Sequence, residues 1–315
     1  MIITCMGELT PLEGYNNIIY KRDDLYMPYD DMPLSGGKVR QAQALIKENL
    51  TYIQDKCNNT VATASSLFSP QSVIMARVAK EFGVKCIIGV GGGKSVEHTV
   101  ENHGMIKASQ ECGAEIRVLS KLGYNSALYS KLNEMQKQEQ FYNVGFGLAS
   151  EDPDSPVLQS IIHQVQNLPK EIENLIIPVG SGIQMGAICI GVLKYKIKVK
   201  NLIGIQIADK NRLSTINELI HNSGQLGFFD KPKYQFYQDA SYAYHDMVEA
   251  IPFEGFQLSA VYEAKAWHAM KQLDLNWDVG KTVFWVVGNE NMTRELYQGK
   301  LKYSKLKSVP LKKVK

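Results

Sequence analysis

An α/β fold of two lobes, each a mostly parallel twisted sheet flanked by helices, is the architecture the sequence predicts. Three observations lead to it. Short apolar runs of strand character alternate with stretches of helical spacing along most of the chain, the rhythm of parallel strands joined by crossover helices. At 315 residues, 44% hydrophobic and 21% charged, the chain is long enough for two cores and too ordinary in composition for disorder or a coiled coil. A glycine-bearing stretch from Tyr142 to Pro156, with Asp152-Pro153-Asp154 inside it, reads as the return from one lobe to the other.

The elements follow in order. Ile18, Ile19 and Tyr20 form a β-rich centre in NNIIYKRDDL and predict a strand that delivers the stretch Ser35-Gly36-Gly37-Lys38-Val39-Arg40. Ala42, Leu45, Ile46 and Tyr52 then fall at helical spacing from Gln41 to about Asp55. A strand is expected at Thr60 to Ala64, then the loop from Ser65 to Gln71, then a helix ending at Gly83 with Pro70 in its first turn. Lys85 to Val90 is a strand leading into Gly91-Gly92-Gly93-Lys94-Ser95. That run is not a phosphate loop of the Walker type, because Ile88 stands where the first glycine belongs. Helices are expected at Thr99 to Gly113, Ser126 to Gln138, Val157 to Leu168, Gln184 to Tyr195, Arg212 to Asn222 and Ala260 to Leu273. Strands are expected at Glu115 to Leu119, Asn174 to Val179, Leu202 to Ala208 and Thr282 to Val287, with an irregular aromatic-rich region before Tyr244.

Charge and cysteine content narrow the class. The formal net charge of +3 comes from residues 300–315, which carry seven lysines and no acid; without those seven, 28 basic residues face 32 acidic ones. The body is thus mildly acidic, and the basic tail is a separate feature that fits a solvated end or a contact with nucleic acid. No run of about 18 apolar residues is present, and the first ten residues lack the pattern of a signal peptide, so a cytoplasmic protein without a membrane partner is expected. The five cysteines are odd in number, widely spaced and mostly in apolar segments, which suits reduced thiols and gives no metal-ligand spacing.

Two glycine motifs carry the chemistry. A lysine directly after Gly36-Gly37, at the start of a helix, is approachable and held by its stem, as an amine that forms a Schiff base must be. It also needs a depressed pKa, through desolvation or a neighbouring cation such as Arg40. The second motif, Pro178-Val179-Gly180-Ser181-Gly182-Ile183-Gln184, follows an apolar strand and opens a helix, so its backbone N–H groups converge on an anion, with Ser181 and Gln184 adding donors. Gly180, Gly182 and Gly186 with Asp209 approximate a dinucleotide fingerprint, but the spacing is one residue too long and the motif lies mid-chain.

The order of glycine-flanked lysine, serine-rich loop and Gly-Ser-Gly loop resembles the fold type II (tryptophan synthase β-like) pyridoxal-phosphate enzymes. Within them the likeness is to the 1-aminocyclopropane-1-carboxylate deaminase and D-cysteine desulfhydrase family. It is carried by Tyr20-Lys21-Arg22-Asp23-Asp24-Leu25 with Ser35 to Arg40, by Ser69 to Ile88, and by Val261-Tyr262-Glu263-Ala264-Lys265-Ala266. The resemblance implies a large cofactor-binding domain of residues 1–45 plus 146–315, a small domain of residues 46–145 inserted in it, and the basic tail 300–315. It implies that Lys38 holds pyridoxal 5'-phosphate and acts as base at Cα, and that residues 180–184 bind the phosphate. Glu263 would face the pyridine nitrogen, where a carboxylate strengthens the ring as an electron sink. Ser69, Tyr242 and Tyr262 would be the hydroxyls near the substrate, and Arg40 and Gln71 would stand in the cofactor site. Two departures mark this chain: Ser69-Pro70-Gln71 lacks the family's asparagine on the cofactor's phenolic oxygen, and Val286-Val287-Gly288-Asn289 replaces a threonine and paired glycines. The hydrogen bond is then either lost or supplied by Ser65, Ser66 or Gln71. The expected function is a homodimeric lyase or deaminase of a small amino acid, through Cα proton abstraction and β-elimination or ring opening. The alternatives are an enzyme for an amino-acid group on a larger carrier such as nucleic acid, or a cofactor-binding protein without catalysis.

Overall fold

The computed structural model describes residues 8–91, 102–121, 124–150, 152–207, 212–224, 234–238, 241–252, 256–275, 280–305 and 311–314. Lys94, Ser95, the first residues of the helix expected from Thr99, and Asp209 lie outside them. Eleven strands form two sheets among the described residues. The four-stranded sheet has the order β5 (Glu115–Ser120), β4 (Lys85–Gly91), β3 (Thr60–Ala64), β6 (Tyr142–Val144), and every pairing in it is parallel. The seven-stranded sheet has the order β1 (Leu12–Tyr15), β2 (Ile18–Arg22), β10 (Thr282–Val286), β7 (Glu171–Val179), β8 (Lys198–Gln206), β9 (Tyr234–Gln238), β11 (Lys312–Val314). Only its two edge strands run antiparallel to their neighbours.

Helices cover these sheets: α1 (Gly37–Lys56), α2 (Gln71–Glu81), α3 (Gly104–Glu111), α4 (Asn125–Gln136), α5 (Pro156–Gln164), α6 (Ile183–Lys194), α7 (Leu213–Asn222), α8 (Glu263–Met270) and α9 (Asn291–Gln298). The central strands are buried on both faces, so β7 reads as the apolar run Leu175-Ile176-Ile177 rather than as an alternation. One apolar cluster unites Val39, Ala42 and Ile46 of α1 with Val61, Val73 and Ile88 around the smaller sheet. Another joins Leu158, Ile177, Ile188 and Trp285 on one face of the larger sheet.

Several elements depart from the sequence expectation. Tyr142–Val144, read as part of the return stretch, is the edge strand of the smaller sheet, pairing Val61 with Tyr142 and Thr63 with Val144. β9 lies in the region read as irregular, and three residues are too few for periodicity to announce either β6 or β11. Helix α8 starts at Glu263 rather than near Ala260, because the Ser259 hydroxyl accepts the Tyr262 N–H at 3.3 Å in a turn before it. The basic tail is not a free arm throughout: Lys312, Lys313 and Val314 pair with Gln238, Tyr237 and Phe236.

The topology that matters for function is the pairing of β2, near the start of the chain, with β10, near its end, in register from Ile18–Thr282 to Arg22–Val286. It sets the loop bearing Lys38 beside the carboxyl end of β10. The loops after β3, β6, β7 and β10 also leave carboxyl ends of parallel strands, where α/β sheets place ligands.

Candidate cofactor site

Lys38 occupies the first turn of α1, and its loop is pressed onto the end of β10. The Gly37 N–H donates to Val287 O at 2.9 Å, and Ser35 Oγ both donates to Asn289 O and accepts the Asn289 N–H, each at 3.0 Å. Gly36 has φ +102, and a Cβ there would lie 2.5 Å from Gly288 Cα and from Val287 O, so only glycine fits. The residue is half-buried with its amine inside, and burial alone brings the amine down to about 8. Arg40, expected as the neighbouring cation and as a cofactor contact, does neither job here. Its guanidinium is buried against Asp23 at 3.1 Å and Ser160 O at 3.3 Å, and Trp285 Nε1 donates to the same Asp23 oxygen at 3.0 Å. It is a core ion pair that anchors α1.

The loop between β7 and α6 supplies an anion cradle. Gly182 sits at φ +92 in the left-handed region as the residue before α6, with no side chain capping the helix, so the first N–H groups stay available. Ser181 follows the Gly180 turn, and Ile183 and Gln184 open the helix; Gln184 Nε2 is buried and without a hydrogen-bond partner. The Phe146–Gly147 loop closes over this cradle, since a Cβ on Gly147 would lie 2.5 Å from Ser181 Cβ and 4.0 Å from Lys38 Nζ. The glycine loop and the lysine amine are therefore neighbours in space, although more than 140 positions separate them in sequence.

Gln71 holds that arrangement together. Its Nε2 donates to Thr63 Oγ1 at 2.8 Å and to Gly145 O at 3.3 Å, and its Oε1 accepts the Gly147 N–H at 3.0 Å. Expected as a direct cofactor contact, Gln71 is instead spent on the loop beside Lys38. Ser65 Oγ, by contrast, is buried at the end of β3 with no hydrogen-bond partner.

Glu263, fully buried at the start of α8, reaches the end of β10. Its Oε1 accepts the Val287 N–H at 2.8 Å and the Gly288 N–H at 3.2 Å, while Oε2 has no hydrogen-bond partner of good geometry among the described residues, the Ser259 hydroxyl being near enough to act on the carboxyl. Burial, then the nearby Glu290 carboxylate, pushes its carboxyl well above the usual range. Tyr262 packs its ring on the Gly180–Gly182 loop, 3.4 Å from where a Gly180 Cβ would be, and its hydroxyl bonds to that of Tyr244. Burial raises both phenols, so they stay protonated. The Tyr244 hydroxyl also interacts with Ser69, whose Oγ accepts the Gln71 N–H at 3.3 Å. The expected Tyr242 is a core residue, 4% exposed among Tyr20, Ile176 and Phe284. Its sequence neighbour Tyr244 is the one the fold brings to Tyr262, because Lys265 Nζ donates to Ala243 O and Tyr244 O and clamps that segment.

The donor set fits pyridoxal 5'-phosphate. The site offers a buried amine for an aldehyde, an uncapped glycine-lined helix start for a phosphate, and one buried carboxylate oxygen for a ring nitrogen. Comparison with known proteins decides the family: the pattern described as "Pyridoxal-phosphate dependent enzyme" matches residues 7–224. The chain belongs to that family. It is 30% identical over 230 residues to the "O-seryl-dTMP PLP-dependent decarboxylase" of Salmonella phage ViI, covering 68% of this chain and 52% of that protein. This chain thus spans about half the length of the curated relative it matches. Among solved structures, an ACC deaminase homologue superposes with a TM-score of 0.71 at 18% identity, covering 93% of this chain and 92% of that one. Diaminopropionate ammonia lyase of Escherichia coli does so with a TM-score of 0.58 at 14% identity, over 93% and 86%. These structures show the fold type II architecture, and the family carries the cofactor.

Among the described residues no group of His, Cys, Asp and Glu could hold a metal ion, and no helix is long and apolar enough to cross a membrane. The four described cysteines are buried and unpaired in disulfides.

Proposed function

We propose that this pyridoxal-phosphate enzyme labilises a bond at Cα of an amino-acid group carried on a nucleotide. The observation behind the Cα chemistry is the convergence of the Lys38 amine, the Gly180–Gln184 cradle and the Oε2 of Glu263. Bound there, the cofactor supplies an aldehyde that captures a substrate amine and a ring that withdraws electrons from Cα. Lys38, uncharged in an appreciable fraction near neutral pH, is the attacking amine and afterwards the base or acid at Cα. Glu263 holds a proton at the ring nitrogen, and Ser65 Oγ is the donor that replaces the family's asparagine. Tyr262 and Tyr244 donate protons.

The carrier reading is supported by the phage relative, whose named substrate is a seryl group on a nucleotide. It also suits the exposed lysines 300, 302, 305, 312 and 313, which are cations available to a phosphate. On this reading carbon dioxide leaves Cα and a phenol or Lys38 returns the proton. The second reading is a lyase or deaminase acting on a free small amino acid, favoured by the Ser69–Tyr244–Tyr262 hydroxyls, which would protonate a departing β-group. A homodimer is proposed with either.

One experiment separates them. The purified protein, loaded with cofactor, is offered seryl-bearing nucleotides and a panel of free D- and L-amino acids, and carbon dioxide, ammonia and keto acid are measured. Carbon dioxide from the nucleotide alone supports the carrier reading. Ammonia and keto acid from a free amino acid would replace it with the lyase.

A further inference from the structure

A cation stands beside the glycine cradle that the sequence motifs did not include. Arg212 precedes α7 and is packed against the loop: a Cβ on Gly182 would lie 3.2 Å from Arg212 Cβ and 3.4 Å from Arg212 O. Its guanidinium carbon lies 4.9 Å from the centre of the Phe146 ring, the same loop that covers Ser181. Arg212 Nε is buried with no hydrogen-bond partner, and no ion pair to Arg212 occurs among the described residues. Burial lowers its pKa with no carboxylate raising it.

A guanidinium does not lose its proton in a protein, so a buried unpaired N–H of this kind carries a desolvation cost that an anion would offset. Arg40, fully buried and with its own Nη1 likewise lacking a hydrogen-bond partner, differs in that the Asp23 carboxylate faces it at 3.1 Å and balances its charge. We infer that Arg212 is the side-chain ligand of the cofactor phosphate, adding a fixed positive charge to a cradle otherwise made of backbone N–H groups. The inference rests on the cofactor assignment above. It gives the Phe146 ring, 4.9 Å from the guanidinium carbon, a role: a cation–π contact positions the side chain without consuming its N–H donors. A dianionic phosphate between the helix start and this fork would gain charge-assisted bonds from both sides.

The test compares pyridoxal phosphate with pyridoxal, which differs only in lacking the phosphate. Full-length protein freed of cofactor is titrated with each, following visible absorbance, for the unaltered chain, Arg212→Gln and Arg212→Lys. Arg212→Gln should weaken pyridoxal phosphate roughly ten-fold or more while leaving pyridoxal unchanged, and Arg212→Lys should recover part of the loss. Equal weakening of both compounds, or of neither, overturns the inference, the first by making Arg212 a structural residue. Should the glutamine variant fail to fold, the lysine variant decides by the same comparison. An unaltered chain that binds neither compound would instead refute the cofactor site itself.

Discussion

Lys38→Met in the cofactor-free protein is the sharpest perturbation of the site. Methionine keeps the length of the stem and removes the amine, so it isolates the cost of holding a charge in a desolvated position. Burial takes the amine from the ordinary 10.5 to about 8. At about 1.4 kcal/mol per pH unit, that depression corresponds to about 3 kcal/mol of penalty on the ammonium form. Lys38 is only half-buried as a residue, so water screening brings the expected effect to about 1–2 kcal/mol. Because the folded pKa is depressed, the folded state binds fewer protons than the unfolded chain between about pH 8 and 10.5. The unaltered protein therefore gains stability as pH rises through that window, and below it carries the whole penalty. The variant lacks this dependence. Urea unfolding at pH 7, 8, 9 and 10 should show Lys38→Met more stable by about 1–2 kcal/mol at pH 7, with the gap closing by pH 10. A variant less stable at pH 7, or a gap independent of pH, would refute the claim that burial depresses the Lys38 pKa.

Three further outcomes follow from the site. Glu263→Gln should retain bound cofactor but slow bond breaking at Cα, read as carbon dioxide release or as Cα proton exchange in deuterated water, roughly a hundred-fold, since the carboxyl partner of the ring nitrogen is lost; an undiminished rate would show that Glu263 is not that partner. Tyr244→Phe should cut turnover roughly a hundred-fold with little change in melting temperature, whereas Tyr242→Phe should act mainly on stability, and the reverse pattern in kinetics and thermal melts would restore Tyr242 to the site. Gly182→Ala should cost about 1–2 kcal/mol through its left-handed φ and should also weaken cofactor binding, because its Cβ would push on Arg212 3.2 Å away. Unfolding and absorbance titrations check both parts, and a tolerated alanine would mean the loop relaxes freely.

The strand-and-helix rhythm, the glycine-flanked lysine and the glycine loop were legible along the chain, because each is written in local chemistry. Gly36-Gly37 before a helix and Gly180-Ser181-Gly182 after an apolar strand have meanings that depend on backbone conformation within a few residues. The tertiary structure decided everything that depends on who meets whom. β10 pairs with β2, and only that pairing brings Glu263, Val287 and Lys38 together. Arg40 and Arg212 are the same residue type, yet one finds Asp23 in the core and the other lies beside Gly182 with no ion pair among the described residues. Tyr242 and Tyr244 are two positions apart in a segment without helical or strand period, so no pattern could say which faces inward. The clamp of Lys265 on Ala243 and Tyr244, made across more than twenty residues, chooses between them. Gln71 bonds to the Gly145–Gly147 loop for the same reason, since the hydrogen bonds a buried amide makes are set by the segment that folds against it.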